Sequence, residues 1–163
     1  MSDSQSLIIK GHVDFKLYNQ YGEVIDERAV SNALVQNGRG ILVQKTATNF
    51  SYGVFNCDTM AIGTGTGGTT GLVSPAGTQV TTTQVAAFNG TTVSWPTTAN
   101  QMVVKATFGP NNPSTDTEIT EAAMGYGGVG NIALVYAYTS FGKITKRAAD
   151  TLGVTWTITI TAT

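Results

Sequence analysis

The segment from Asp150 to Thr163 constrains the fold most, because its apolar residues fall on every second position. These residues are Leu152, Val154, Trp156, Ile158 and Ile160, and threonines fill most of the gaps. Side chains on a strand point alternately to opposite faces, whereas a helix would spread these residues around its circumference. The pattern therefore predicts a strand with one apolar and one threonine face, and Trp156 is expected to anchor a core.

The same alternation marks a strand near the start of the chain, from Ile9 to Tyr18. One face carries Ile9, Gly11, Val13, Phe15 and Leu17, and the other face carries charged residues and His12. The segment Asn19 to Gly22 has the composition of a turn. Glu23 to Val30 then reads as a returning strand, whose higher charge is typical of an exposed or edge strand.

Further strands are predicted along the rest of the chain. They are Thr59 to Gly63, Gln101 to Phe108 with Met102, Val104, Ala106 and Phe108 inward, Glu118 to Tyr126, and Asn131 to Phe141. Gly125 to Gly130 is expected to break the strand before it. Asn89-Gly90 predicts a hairpin between Val80–Phe88 and Thr91–Trp95, because this pair suits both positive-φ positions of a type I′ turn.

One helix is predicted, over about residues 31–45. Ser31 is a good N-cap, because its hydroxyl can accept a hydrogen bond from a first-turn amide. Leu34, Ile41 and Leu42 follow at helical spacing. Gly38 and Gly40 each cost about 1 kcal/mol relative to alanine inside a helix, so close packing on a sheet has to compensate.

These elements predict a mainly β fold, a jelly-roll-like β-sandwich of about eight to ten strands with that single short helix. Residues 1–6 are polar and are expected to form a flexible N-terminal lead. Residues 7–163 are expected to form a single β-sandwich domain, since 163 residues suit one domain.

Composition argues against several classes of partner. Charged residues make up only 12% of the chain and the net charge is −1, which does not suit neutralisation of nucleic-acid phosphates. The only basic pair, Lys146-Arg147, is interpreted as part of a solvated loop. No apolar run is long enough to span a membrane, and the N-terminus lacks a signal-peptide core. A single Cys57 and a single His12 rule out an internal disulfide and a Cys/His zinc site.

Two candidate sites for chemistry are weak. Gly63-x-Gly65-x-x-Gly68 matches a dinucleotide-binding string, but no helix pattern follows it to meet a pyrophosphate, so a flexible loop is favoured. The second candidate, a Ser-His-Asp or Cys-His catalytic site, would need His12. This residue lies on the polar face of its strand and is expected to face solvent. Cys57 sits beside Asp58, whose charge would raise the pKa of the thiol, so no reactive cysteine is expected.

Three carboxylates and three tyrosines are weak candidates for a catalytic, Ca²⁺-binding or sugar-binding site. Asp116, Glu118 and Glu121 are close in sequence, but Glu118 and Glu121 would lie on opposite faces of a strand, so solvated charges are favoured over a glycosidase pair or a Ca²⁺ site. Tyr126, Tyr136 and Tyr138 could stack on a sugar, although packing is the commoner use of such tyrosines. No catalytic, metal or cofactor-binding residue is predicted, and the chain is not expected to be an enzyme.

Several motifs of the chain resemble those of small β-rich structural proteins of tailed bacteriophages. Ile119 to Met124 resembles their I-T-E-A-G-L-F strand, and Asp150 to Ile158 resembles their closing D-T-L-x-V-T-W-T-I-T strand. Met60 to Gly65 resembles their I-A-x-G-T-G strand and loop. The likeness runs from about Val30 onward, and Ala123-Met124-Gly125 departs from the usual G-L-F.

The resemblance implies a virion component made in the host cytoplasm. Proteins of this family and size often serve as decoration, or cement, proteins on the capsid surface, commonly as homotrimers. The expected partners are therefore other copies of the chain and the major capsid protein. The alternative is a tail, fibre or receptor-binding module that holds host glycans on Tyr136 or Tyr138. A hydrolase using Glu118 or Asp116 is the least favoured function.

Overall fold

The computed structural model describes residues 7–34, 59–65, 79–84, 93–94, 101–128 and 131–162. In this part of the chain nine strands follow one another: β1 (Leu7–Tyr18), β2 (Val24–Leu34), β3 (Thr59–Gly63), β4 (Gln79–Gln84), β5 (Val93–Ser94), β6 (Gln101–Phe108), β7 (Thr117–Gly128), β8 (Asn131–Lys146) and β9 (Thr151–Ala162). No helix occurs among the described residues, so the mainly β class predicted from the sequence is confirmed.

The strands form two antiparallel sheets that share β2. The first sheet has the order β2-β1-β9-β6-β5 and the second has the order β4-β3-β7-β8-β2. Up to Asn32, β2 pairs with β1, whereas Ala33 and Leu34 pair with β8. The strand order is therefore continuous from one sheet into the other through the end of β2.

The main core is built from alternating residues of both sheets. Its buried members are Val13, Phe15, Leu17, Met60, Ile62, Val104, Ala106, Phe108, Ile119, Ala122, Met124, Tyr136, Ala137, Ile144, Leu152, Val154, Trp156 and Ile158. Trp156 is the largest side chain in it and is fully buried, as the sequence predicts. The inward faces predicted for β1, β6 and β9 are confirmed, because the strand period of two places these residues together.

Around β3 and the adjoining parts of β7 and β8, the second sheet is buried on its other face as well. Ala61, Ala123 and Val135 form a smaller buried cluster there, with Tyr138 packed against it. Every residue of β3 is buried. Strands covered on both faces lose the alternation between apolar and polar residues, which explains why β3 shows only a short pattern in the sequence.

The turn between β1 and β2 forms where it was predicted. The side-chain oxygen of Asn19 accepts hydrogen bonds from the amides of Tyr21 at 2.9 Å and Glu23 at 3.0 Å. Gly22 has a φ of 82°, a conformation that glycine adopts without a steric penalty. Just after the turn, Leu17 pairs with Asp26 and Tyr18 with Val24, so Ile25 is an extra residue in a β-bulge.

The predicted helix does not begin at Ser31. Residues 31–34 continue β2, with Ser31 paired to His12 and Leu34 paired to Ala137. The N-cap signal at Ser31 is local, and it is overridden by hydrogen bonds to strands that are distant in the sequence. Residues 35–45 of the predicted helix lie outside the described residues.

The structure also differs from the sequence-based prediction at the ends of two strands and at the predicted hairpin. β7 runs through Gly125 to Gly128 and β8 runs on to Lys146, so both strands are longer than predicted. In the described residues β4 pairs with β3 and β5 pairs with β6. The predicted turn at Asn89-Gly90 lies outside the described residues, but the described parts of the two predicted hairpin strands, β4 and β5, lie at opposite ends of the strand order.

Candidate functional site

Three large apolar side chains in or directly after the β1–β2 turn are exposed. Tyr21 is 79% exposed, Val24 is 49% exposed and Ile25 is 48% exposed. The β-bulge leaves Ile25 without a partner across the strand pair. We call Tyr21, Val24 and Ile25 the hairpin patch. Exposed apolar side chains this close together in the sequence are candidates for a surface that contacts another molecule.

The hairpin patch stands on a rigid turn. Besides its two bonds to backbone amides, Asn19 donates through Nδ2 to Oε2 of Glu23 at 2.8 Å. The backbone adds bonds from Asn19 N to the Glu23 carbonyl at 2.9 Å and from Gly22 N to the Asn19 carbonyl at 3.0 Å. A contact surface that is ordered before binding loses less conformational entropy when a partner binds.

Two ion pairs lie on β1 and β2 next to the hairpin patch. Lys16 lies 3.0 Å from Glu27, and Arg28 lies 3.2 Å from Asp26. The hydrogen bond and the charge of Glu27 raise the pKa of Lys16. Arg28 also donates to the carbonyl of Gly142 at 2.7 Å. Ion pairs that are partly or largely exposed contribute little stability. Glu23, between Tyr21 and Val24, is held by the uncharged side chain of Asn19 and is not part of an ion pair with any other described residue.

Two of the three carboxylates considered from the sequence are solvated, as predicted. Asp116 is exposed and accepts a hydrogen bond from the amide of Ala148 at 2.9 Å. Glu118 is exposed and pairs with Lys143 at 2.6 Å. In the described part of the chain no group of three or more His, Cys, Asp or Glu is placed to hold a metal ion.

Glu121 is the exception, and its interpretation as a solvated charge is wrong. It is 1% exposed. Its Oε1 accepts from the amide of Gly65 at 3.0 Å, and its Oε2 accepts from the hydroxyl of Tyr138 at 2.8 Å. Thr120 donates to the carbonyl of Gly65 at 2.5 Å. These bonds tie the segment after β3 to β7.

A register shift between Ile119 and Glu121 explains why the sequence misled. Ile119 joins the main core together with Ala122 and Met124, so the strict alternation is broken between them. Glu121 instead shares a face with Gly63, where a Cβ on that glycine would overlap the carboxylate. A buried carboxylate is stable only when hydrogen bonds replace its lost hydration.

Burial and Glu121 together raise the pKa of Tyr138. Desolvation is the larger cause, followed by the hydrogen bond to Glu121 and by its negative charge. The phenol therefore stays protonated and remains a donor. The amide of Gly65 is also occupied by this carboxylate, which is a structural use of the glycine-rich segment, while Gly68 lies outside the described residues.

Lys146 is fully buried, so its assignment to a solvated loop is wrong, whereas Arg147 is exposed. Its ammonium donates to the carbonyl of Asp150 at 2.7 Å and to that of Gly109 at 3.0 Å, with the Arg147 carbonyl at 3.5 Å. Burial lowers the pKa of Lys146, and the charge of Asp150 partly opposes this. Lys146 shares the strand parity of buried Ile144, and that signal could have revealed it.

The remaining predicted residues divide as follows. His12 is exposed and lies 3.1 Å from Asp14, which confirms its solvent-facing position. Tyr136 is buried and Tyr138 is partly buried, so neither forms an open platform. Cys57 and the side chain of Tyr126 lie outside what the structure describes. Within the described ranges, no helix is long and apolar enough to cross a lipid bilayer.

Comparison of the chain with protein-family models, with curated proteins and with solved structures finds no match in any of the three.

Proposed function

We propose that the protein is a decoration protein on the capsid of a tailed bacteriophage, a homotrimer that binds the outside of the major capsid protein shell and stabilises it. The observation that carries the proposal is the hairpin patch, in which Tyr21, Val24 and Ile25 are exposed on a rigid turn. Tyrosine and aliphatic side chains on an ordered surface are suited to form the centre of a protein interface.

Two further observations support this proposal. The ionisable groups buried in the described part of the chain, such as Glu121 and Lys146, use their polar atoms to hold segments of the protein together. The chain as a whole has only 12% charged residues. A protein that is permanently packed against neighbouring subunits needs a rigid fold and little surface charge. The motifs that resemble those of phage structural proteins also support the proposal.

The finer architecture that we propose is a jelly-roll-like β-sandwich. The support is that side chains from β1, β6 and β9 of the first sheet and from β3, β7 and β8 of the second sheet meet in one buried cluster. Trimers suit this role, because local three-fold positions recur across an icosahedral shell and closed symmetry covers protomer edges.

The test uses purified shells that lack the protein. Wild-type protein added back should bind the shells and raise the temperature at which packaged DNA is released. Ile25→Lys and Tyr21→Ala should bind at least about ten-fold more weakly, since central interface residues often contribute more than 1.4 kcal/mol. Lys105→Ala, an exposed change on β6, serves as the matched control.

Equal binding of all variants would exclude the hairpin patch as the contact surface. Equal heat resistance of virions with and without the protein would exclude the decoration role itself. For the alternative, a glycan-binding tail module, the predicted use of Tyr136 and Tyr138 is not supported, because Tyr136 is 7% exposed and Tyr138 is bonded to Glu121.

A further inference from the structure

A cavity of about 400 Å³ opens to solvent at the end of the first sheet where the β1–β2 turn lies. It is lined by Tyr18, Asn19, Gln20, Gly22, Pro110, Ala149 and Thr151. Three separate segments thus meet around one space: the turn, the segment after β6, and the β8–β9 connection. Its size falls within the range of small-molecule sites, about 300–1,000 Å³.

Lys146 connects two walls of the cavity, the segment after β6 and the β8–β9 connection, through hydrogen bonds. Its buried ammonium donates to the carbonyl of Gly109, next to Pro110, and to the carbonyl of Asp150, between Ala149 and Thr151. The amide of Asn111 also donates to the carbonyl of Ala148 at 2.7 Å. The cavity is therefore formed before any ligand arrives.

The third wall is fixed by the turn itself. Both polar atoms of the Asn19 side chain are engaged, Oδ1 by two backbone amides and Nδ2 by Glu23. By contrast, the hydroxyls of Tyr18 and Thr151 and the carboxamide of Gln20 make no hydrogen bond with other described residues. The lining thus offers uncommitted donors and acceptors on a rigid frame.

The chemistry of the lining is neutral. Of the described residues that line the cavity, none carries a charge. A charged ligand would lose hydration there without an opposite charge to replace it. Hydroxyl and carboxamide groups can each donate and accept, which matches a ligand that carries several hydroxyl groups. The ring of Tyr18, together with Pro110 and Ala149, supplies an apolar wall against which the C–H face of such a ligand can pack.

We propose that this cavity binds a neutral saccharide through Tyr18, Gln20 and Thr151. The proposal does not depend on the decoration role, because the hairpin patch and the cavity use different side chains. It also differs from sugar stacking on Tyr136 or Tyr138. Tyr21 projects from the same turn but does not line the cavity, so it provides a matched control.

The test is saturation-transfer NMR of the full chain with maltose, lactose and chitobiose, and with sialyllactose as the acidic counterpart of lactose. At least one neutral disaccharide should bind, and it should be preferred over the acidic sialyllactose. Gln20→Ala and Thr151→Ala should each weaken binding by about three- to ten-fold, the value of one lost hydrogen bond. Ala149→Trp should abolish binding by filling the space, and Tyr21→Ala should leave it unchanged.

Two results would overturn the proposal. The first is that none of the neutral disaccharides binds at about 10 mM, a concentration that detects even millimolar affinity. The second is that Ala149→Trp, shown to be folded by near-ultraviolet circular dichroism, binds as well as the wild type. If no saccharide binds but phenol does, the space is assigned to an apolar side chain of a protein partner.

Discussion

Tyr138 donates its hydroxyl to the buried carboxylate of Glu121 over 2.8 Å, from β8 to the neighbouring strand β7. The same carboxylate holds the amide of Gly65, so one side chain connects two strands and the segment after a third. In a buried position such a carboxylate depends on each of its donors, because water cannot replace a donor that is lost.

Removing the hydroxyl should therefore destabilise the protein. Tyr138→Phe keeps the ring packed but leaves Oε2 of Glu121 without that donor, and we expect the free energy of unfolding to fall by about 1–3 kcal/mol. Urea unfolding followed by fluorescence measures the change. Tyr21→Phe removes the hydroxyl from a tyrosine that is 79% exposed, and it should change stability by less than about 0.5 kcal/mol. A similar loss in both variants would contradict this account.

Stability at alkaline pH should depend on Tyr138. Its folded-state pKa is raised above the unfolded value of 10.0, so the folded protein retains a proton that the unfolded chain releases. The contribution of this group is complete below pH 10 and decreases as the pH rises above 10. Unfolding measurements between pH 9 and 11.5 should show a steeper decline for wild type than for Tyr138→Phe. The burial of Lys146 lowers its pKa and acts with opposite sign, but it is common to both proteins.

Two lysines of β8 should respond very differently to substitution. Lys146→Met leaves the part-buried carbonyl of Gly109 and the buried carbonyl of Asp150 without their charged donor, and a loss of about 1.5–3 kcal/mol is expected. Lys143→Met removes an ion pair with Glu118 whose two side chains are 63% and 58% exposed, and it should cost less than about 1 kcal/mol. Thermal unfolding of the two variants under the same conditions measures both losses of stability. Equal losses would show that the hydrogen bonds of Lys146 do not stabilise the fold.

Gly63 should resist replacement because of Glu121. A Cβ at Gly63 would overlap Oε1 and lie 2.8 Å from Cγ of Glu121, so Gly63→Ala should cost about 1–3 kcal/mol. Gly109→Ala is the control, since a Cβ there meets nothing within 4 Å. In a double-mutant cycle with Glu121→Ala the cost of Gly63→Ala should largely disappear. Additive losses would mean that the clash lies elsewhere.

The sequence was most informative where strands keep a regular pleat. The alternation in β9 predicted the burial of Trp156, and the alternation in β1 predicted that Phe15 would be inside and His12 outside. These predictions depend only on the period of two along a strand, which is a local property. They therefore did not require knowledge of which strands are neighbours.

The buried carboxylate, the end of β2 and the cavity were less predictable from the sequence, because they depend on contacts between distant segments. The burial of Glu121 follows from a register shift and from donors on Tyr138 and Gly65, neither of which local periodicity reveals. The end of β2 was misread as a helix, because Ser31 has the local chemistry of an N-cap while the strands that pair with β2 are set by the fold. The cavity likewise depends on three segments that only the tertiary structure brings together.

The change of partner along β2 has a mechanical meaning. Asn32 belongs to the ladder with β1, and Ala33 to the ladder with β8, so a single peptide link carries the chain from one ladder to the next. A pulling force applied to one sheet would reach the other through the described backbone ladders at this junction. In the decoration role that we propose, the force from pressure inside the shell would pass through the point where these two ladders meet.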